Sequence, residues 1–254
     1  MRVLVCVKRV PFTGGKMVLA PDSMALETRH LGFTISPHEE CGVEAAVRLV
    51  ESNTGESVVL TLGPPEAIEQ LRDAMALGID RAIHLQTDGS EWDPEATATA
   101  IVDAIRADEA TSGAFDVIFL GNESADSGGY QVGLRVARAL GRLCVTGLKG
   151  VNVVGASVRC EQEAEGGRDV YVVPMPAVLT VKEGLNLPRY PSVPGRMRAG
   201  RKPVAASSPV RPESRLRLIG LEVPGGPGRQ TKLLGSGPSA APAVVEMLRD
   251  IGLV

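Results

Sequence analysis

Alternation constrains this chain more than any other feature. Within residues 1–142, short apolar runs of strand character give way to helix-like segments four times in succession. RVLVCVKRV (2–10) is continuously apolar over 3–7, as a strand buried on both faces must be. SVVLTLG (57–63), RAIHLQT (81–87) and FDVIFLGN (115–122) repeat the pattern. Helical segments at 36–52, 64–78 and 93–110, and another from 132, fill the intervals. This order predicts an α/β fold: a parallel sheet, helices on both faces, right-handed connections, and functional loops at the carboxyl ends of the strands.

The helices carry clear punctuation. Ser36 stands as an N-cap, Pro37 takes the first helical position, and Glu39 follows Ser36 by three, as in a capping box. Val43, Ala46, Val47 and Val50 then share one face. The second helix opens on Pro64-Pro65 and stops at Gly78; the third opens on Asp93-Pro94. KMVLAPDSMALE (16–27) reads as an excursion, a hairpin broken at Pro21-Asp22.

Beyond 142 the character changes. Segments at 147–155, 157–163, 169–174 and 176–181 read as strands, with a turn at 166–168, forming an antiparallel addition to the sheet rather than a new domain. Residues 184–212 hold six Lys or Arg and six prolines but no acid, and read as a basic loop. From 223 the chain is rich in Pro and Gly, an extended linker, before a last helix at 239–254. Such an arm buries little alone and must pack on something else. The expected organisation is one domain over 1–221 and an arm over 222–254.

Composition excludes several classes. Of 254 residues, 44% are hydrophobic and only 3% aromatic, so the core is built from Val, Leu, Ile and Ala. A net charge of −3 argues against a general nucleic-acid binder. No apolar run approaches the ~18 residues of a membrane-spanning helix. The first residues read as a strand bracketed by Arg2 and Lys8, not as a secretory signal. Cysteines at 6, 41, 144 and 160 form no C-x-x-C pair and accompany no His-rich cluster. They read as buried, reduced thiols of a cytoplasmic protein, not as a metal site or a disulfide scaffold. His84 and Trp92 read as packing residues. No Ser–His–Asp set, Cys–His pair or paired carboxylates suggest a hydrolytic site.

The stretch GNESADSGGYQVGLRVARALGR (121–142) places small, polar residues directly before a helix. A loop of this kind offers free backbone N–H groups at the positive end of a helix dipole, a ready phosphate site. Gly128 and Gly129 permit close backbone approach, and Ser124 and Ser127 add hydroxyls. A tight strand-to-helix turn, with glycine present for steric reasons, accounts for the same residues. Neither G-x-G-x-x-G nor G-x-x-x-x-G-K-[ST] occurs, which disfavours a Rossmann dinucleotide site and a P-loop ATPase.

Several segments together resemble the beta subunits of electron transfer flavoproteins, the group that includes FixA. They are RVLVCVKRVP, SPHEECGVEAAVRL, LGPPEAIEQLRDAMALGIDRAIHL, DVIFLGNESADSGGYQVG and, most specifically, PAVLTVKEGLNLPRYPSVPGRMRAGRKP, running in family order over about 1–205. The resemblance implies an adenine-nucleotide-α-hydrolase-like fold and a heterodimer. In it the alpha subunit holds most of the redox FAD and receives the terminal arm of this chain. It implies an electron carrier, redox-active only with that alpha subunit and FAD, between flavoprotein dehydrogenases such as acyl-CoA dehydrogenases and a membrane quinone oxidoreductase. It further implies a structural AMP in this subunit or, as in electron-bifurcating members, a second FAD in its place. Carried across by position, the nucleotide residues are Cys6, Ser36, Pro37, His38, Glu39, Leu62, Gly63 and the run Asp126, Ser127, Gly128, Gly129, Tyr130, Gln131, Val132 and Gly133. Ser36 stands where Asn is commoner, and D-S-G-G-Y-Q-V-G departs from the D-D-D-x-x-Q-T-G of AMP-binding members; fewer carboxylates there would lessen repulsion of a pyrophosphate. The 184–202 segment matches the family's recognition loop, with Val193 where an anchoring Leu is common. Tyr190, Pro194, Arg196, Met197 and Arg198 surround Val193, and Arg201 and Lys202 add to the basic steering of an acidic partner. Readings of another class remain: a stand-alone adenine-nucleotide-binding regulatory module, or an ATP-using enzyme, which the missing phosphate motif opposes.

Overall fold

The computed structural model describes residues 1–12, 14, 17–223 and 232–254. In chain order the elements are β1 (Arg2–Cys6), β2 (Arg9–Pro11), β3 (Phe33–Ile35), α1 (Pro37–Asn53), β4 (Glu56–Gly63), α2 (Ile68–Leu77), β5 (Arg81–Gln86), α3 (Pro94–Ser112), β6 (Val117–Gly121) and α4 (Val132–Leu140). There follow β7 (Leu143–Val154), β8 (Ser157–Ala164), β9 (Gly167–Pro174), β10 (Ala177–Val181), α5 (Val193–Ala199), β11 (Val204–Ser207) and α6 (Ala241–Asp250). They fall into two compact units, Met1–Val18 with Leu26–Ile219, and Leu19–Ala25 with Gly220–Val254.

The first unit is built on one sheet of order β11-β5-β4-β1-β6-β10-β7-β8-β9. All pairings from β11 to β7 are parallel; those of β7 with β8 and β8 with β9 are antiparallel. Side chains alternate strictly across the parallel strands, as the pleat requires. Val3, Val5, Val117, Phe119, Ala177, Leu179 and Val181 enter one core with α1 and α2. Leu4, Cys6, Ile118, Leu120 and Val178 enter the other with α3 and α4. The expected continuous apolar runs are therefore the signature of strands covered on both faces.

Order also locates the ligand crevice. The chain runs from β1 outward through β4 to β5, then α3 returns it to β6 on the other side of β1. The loops after β1 and β6 thus leave toward opposite faces, opening a cleft at the carboxyl ends where the winding reverses.

The structure corrects the sequence reading in five places. The run 2–10 is two strands, because β2 leaves the main sheet to pair with β3, an antiparallel partner too short for its pattern to reveal. PAVLTV is no part of the antiparallel addition: β10 inserts between β6 and β7, parallel to both, and every residue of it is buried. The 184–212 loop contains α5 and the edge strand β11, with Ser192 capping α5 by accepting the Gly195 N–H at 3.1 Å. Ser36 does occupy the N-cap of α1, but its side chain makes no cap hydrogen bond, and the Glu39 carboxylate accepts the Lys8 N–H as well as turning back to the Ser36 backbone. The β8–β9 turn is Glu165-Gly166, one residue earlier than expected, with Gly166 at φ +78°.

In the second unit Leu19–Ala25 is a tight turn closed by the Ala20 N–H to the Ala25 carbonyl at 2.8 Å, and the Leu221 N–H bonds the Ser23 carbonyl at 2.7 Å. Residue 16 of the excursion and residues 224–231 of the linker lie outside the described residues. The terminal helix forms as α6, none of whose residues is buried.

Phe119 is fully buried on the central strand β6. Phe119→Ala is expected to cost about 3–5 kcal/mol, read as a fall in the urea midpoint at constant m-value.

Candidate functional site

The crevice is built from the ends of β1, β4 and β6 and the first turn of α1. Cys6 closes β1 at 6% exposure, and burial pushes its thiol well above the ordinary thiol range, so it packs rather than reacts. Leu62 and Gly63 close β4, where a Cβ on Gly63 would sit 3.2 Å from the Ala67 Cβ. Ser36, itself buried, starts α1 with Pro37 in its first turn.

Glu39 fills the gap between β1 and β6. It is 6% exposed, accepts the Lys8 N–H at 2.7 Å, and leaves no room on the far side: a Cβ on Gly121 would stand 2.8 Å from its Cγ. Burial pushes its carboxyl up to about 8, against the pull of the Lys8 amide and charge. Lys8 itself reaches out of the crevice to two acids, Asp126 at 2.7 Å and Glu91 at 2.8 Å. Burial works against the Lys8 charge, but the two carboxylates outweigh it and hold its pKa above the ordinary value. Burial likewise opposes the Asp126 charge, and Lys8 overcomes it, holding that carboxyl below its usual range.

The loop between β6 and α4 turns twice through the left-handed region, at Gly128 (φ +55°) and Tyr130 (φ +55°). The Ser124 and Ser127 hydroxyls meet at 2.7 Å, and the Gly128 N–H bonds the Ser124 carbonyl at 3.0 Å. Gln131 takes the N-cap of α4 without capping it; its side-chain oxygen receives the Arg135 guanidinium instead. The first-turn amides of α4, including Val132 and Gly133, therefore lack a side-chain cap. Gly133 has a steric duty as well, since a Cβ there would stand 2.4 Å from the Thr180 Cγ2. Thr180 cannot yield: its hydroxyl donates to the Asn122 Oδ1 and accepts the Gly147 N–H.

Not every predicted residue converges. Cys6 and Glu39 meet in the crevice, where Glu39 also crowds Gly121, and Asp126 joins at its edge through Lys8. Ser127 and Gly128 are exposed on the loop and Gly129 is half-buried. His38 and Tyr130 face elsewhere, toward a cavity of about 440 Å³ that Glu123, Lys149, Lys182 and Glu183 also line. Tyr130, Glu163 and Lys182 also line a neighbouring cavity of about 260 Å³, with Asn122, Thr146, Gly147 and Gln162. The His38 Nδ1 is buried without a partner, and burial lowers its pKa against the pull of Glu123 and Glu183. Sequence reasoning missed Lys8 and Glu91, the charges that organise the crevice; Lys8 read only as a charge bracketing the apolar stretch of the first strand.

The basic segment forms a separate, exposed surface. Tyr190 (96% exposed), Val193 (73%) and Met197 (68%) project outward, with Pro194, Arg196 and Arg198 exposed around them. Beneath them α5 lies against α2 so closely that a Cβ on Gly195 would be 2.6 Å from the Ala76 carbonyl oxygen. Arg72 of α2 donates to the carbonyls of Ala199 and Lys202, and the Lys202 ammonium donates to those of Met75 and Ile79. Lys202 is thus tied to the fold rather than free to steer a partner. Arg189 is likewise held by Glu44 and Glu51.

Two outcomes follow from this packing. Gly133→Ala should destabilise the fold by about 1–3 kcal/mol, and adding Thr180→Ser, which removes the clashing methyl and keeps the hydroxyl, should restore most of it in a denaturant titration. Glu39 has a folded pKa of about 8 against an ordinary 4.5, so between those values the folded state binds more protons than the unfolded one. Stability should therefore fall as pH rises across that window, and Glu39→Gln should flatten the slope of urea midpoint against pH.

Comparison with known proteins agrees with this architecture. Residues 23–210 match the model of the electron transfer flavoprotein domain. The chain is 36% identical over 225 residues to an electron transfer flavoprotein subunit beta of Syntrophomonas wolfei, covering 88% of this chain and 86% of that one. It is 31% identical over 258 residues to the protein of that name from Mycobacterium leprae, covering 98% and 93%. With Protein FixA of Azorhizobium caulinodans it shares 34% identity over 211 residues, covering 80% and 74%. A parallel sheet with a crevice at its winding reversal, together with relatives matched over most of their length, places this chain in the electron transfer flavoprotein family, on its beta-subunit and FixA branch.

Proposed function

We propose that this chain is the beta subunit of a cytoplasmic, heterodimeric electron transfer flavoprotein that holds AMP at the β1–β6 crevice. The alpha subunit holds most of the FAD and receives the arm over 222–254. The heterodimer carries electrons from flavoprotein dehydrogenases, acyl-CoA dehydrogenases among them, to a membrane quinone oxidoreductase. No helix among the described residues is long and apolar enough to cross a membrane.

One observation carries the nucleotide assignment. The β6–α4 loop brings two left-handed residues and the uncapped amides of α4 to the edge of the crevice, beside a lysine already committed to that loop. Free amides at a helix N-terminus suit a phosphate, and the reversal of strand order is where open α/β sheets take nucleotides. Buried Glu39 and Cys6 suit the uncharged part of such a ligand, away from its phosphate. Bound FAD supplies the redox chemistry; this chain contributes binding, orientation and electrostatics.

The cavities of about 260 and 440 Å³ beyond Tyr130 favour a second reading, in which a larger nucleotide, a second FAD, takes the place of AMP. Acid release of nucleotides from the purified heterodimer, with mass identification and stoichiometry, decides between them. One FAD and one AMP per heterodimer is the expected result. Two FAD without AMP would establish the second reading, and no nucleotide beyond the alpha subunit's FAD would defeat both.

The exposed Val193 on its braced helix supports a docking role for the 184–202 segment. Val193→Asp is expected to slow electron acceptance from a partner dehydrogenase by at least about tenfold, with nucleotide content unchanged. Equal rates would remove Val193 from the docking surface.

A further inference from the structure

The final strand of the sheet runs parallel to its neighbour, so it delivers the chain to the same carboxyl edge that holds the crevice. The segment after β11 is fastened there residue by residue. Arg211 donates to the Ser90 hydroxyl at 2.8 Å and to the Glu91 carbonyl at 2.6 Å, and its guanidinium lies 5.7 Å from the ring centre of the buried Trp92. Ser214 and the Arg215 N–H both bond the Asp93 Oδ2, at 3.0 and 2.9 Å. The other oxygen of Asp93 caps α3 through the Ala96 N–H at 2.7 Å. This strap thus holds the 90–93 turn by backbone and side chain together.

That same turn is one wall of the crevice. Glu91, whose carbonyl Arg211 holds, sends its carboxylate to Lys8, and Lys8 pairs with Asp126 of the β6–α4 loop. Pro94, next in sequence, lies 4.0 Å from where a Cβ on Gly129 would stand. A series of charge-assisted contacts therefore runs from the loop to the strap.

We propose that Arg211 is a positioning residue of the nucleotide loop, acting through Glu91 and Lys8, and that nucleotide occupancy and the seating of the strap over 208–219 are linked. The inference rests on the nucleotide reading of the crevice. A nucleotide that orders the 122–131 loop fixes Asp126, hence Lys8 and the Glu91 turn on which the strap is seated. By reciprocity, loosening the strap weakens the nucleotide by the same factor.

Trypsin reports on the strap directly, because Arg215-Leu216 and Arg217-Leu218 are cleavable bonds within it. Cleavage of the full chain at these bonds is followed with and without AMP, and separately with and without FAD, beside dissociation constants from calorimetry. The nucleotide that binds is expected to slow cleavage by about fivefold or more. Arg211→Ala should weaken its affinity by about the same factor and abolish the protection; Arg211→Lys should restore part of both. Glu91→Gln, which breaks the series at its other end and leaves the strap contacts in place, should also abolish the protection. If a nucleotide binds wild type and Arg211→Ala equally, or leaves cleavage unchanged, the linkage is wrong while the nucleotide reading stands. If neither nucleotide binds wild type, the reading beneath falls and takes the linkage with it.

Discussion

A strand paired on both edges and covered on both faces can offer a ligand nothing but its end. β1 is such a strand, between β4 and β6 with both cores against it. Everything the site needs must therefore be brought to the few residues after Cys6. The solution is a long excursion through β2 and β3 that returns as α1, whose first turn delivers Ser36, Pro37 and Glu39 to the β1 terminus. The buried carboxylate of Glu39 satisfies the Lys8 amide, which has no strand partner on that side. Glycine at 121 is what makes room for it.

Electrostatics then tie the second loop to the first. Lys8 lies between Asp126 and Glu91, an arrangement in which one partly buried cation offsets two carboxylates from different parts of the chain. Losing Lys8 from this set leaves the Asp126 carboxylate without compensation in a poorly solvated place, which costs more than the pair itself contributes. The loop is held by this charge balance and by the α4–β10 contact at Gly133, and not by apolar burial, since most of its residues are exposed.

Much of the fold was legible because strands buried on both faces write continuous apolar runs, and because Pro37, Asp93, Pro94 and Gly78 mark helix ends by local stereochemistry. Strand order was not legible. That β10 enters between β6 and β7 is a property of long-range pairing, although its five buried residues carried the hint. β2 and β3, three residues each, are too short for periodicity, and α5 hides among prolines that read as loop. At the site, Gly128, Gly133 and Asp126 stood out through composition and resemblance. The capping-box spacing gave Glu39 its Ser36 partner but not the Lys8 amide, which arrives from 31 residues away. Lys8 itself read only as a charge bracketing the apolar run of the first strand.

The mutual capping of α2 and α5 has a kinetic consequence. Arg72 of α2 neutralises the carbonyl end of α5, and Lys202, just past α5, that of α2, so the seven residues that carry Val193 and Met197 are already immobilised before anything touches them. An ordinary loop would surrender backbone freedom on association; here that loss was taken at folding. Exchange of side chains on this platform then alters how long a complex lasts more than how quickly it forms. On any docking surface prepared in this way, residence times can thus be reset one side chain at a time, with the scaffold beneath left alone.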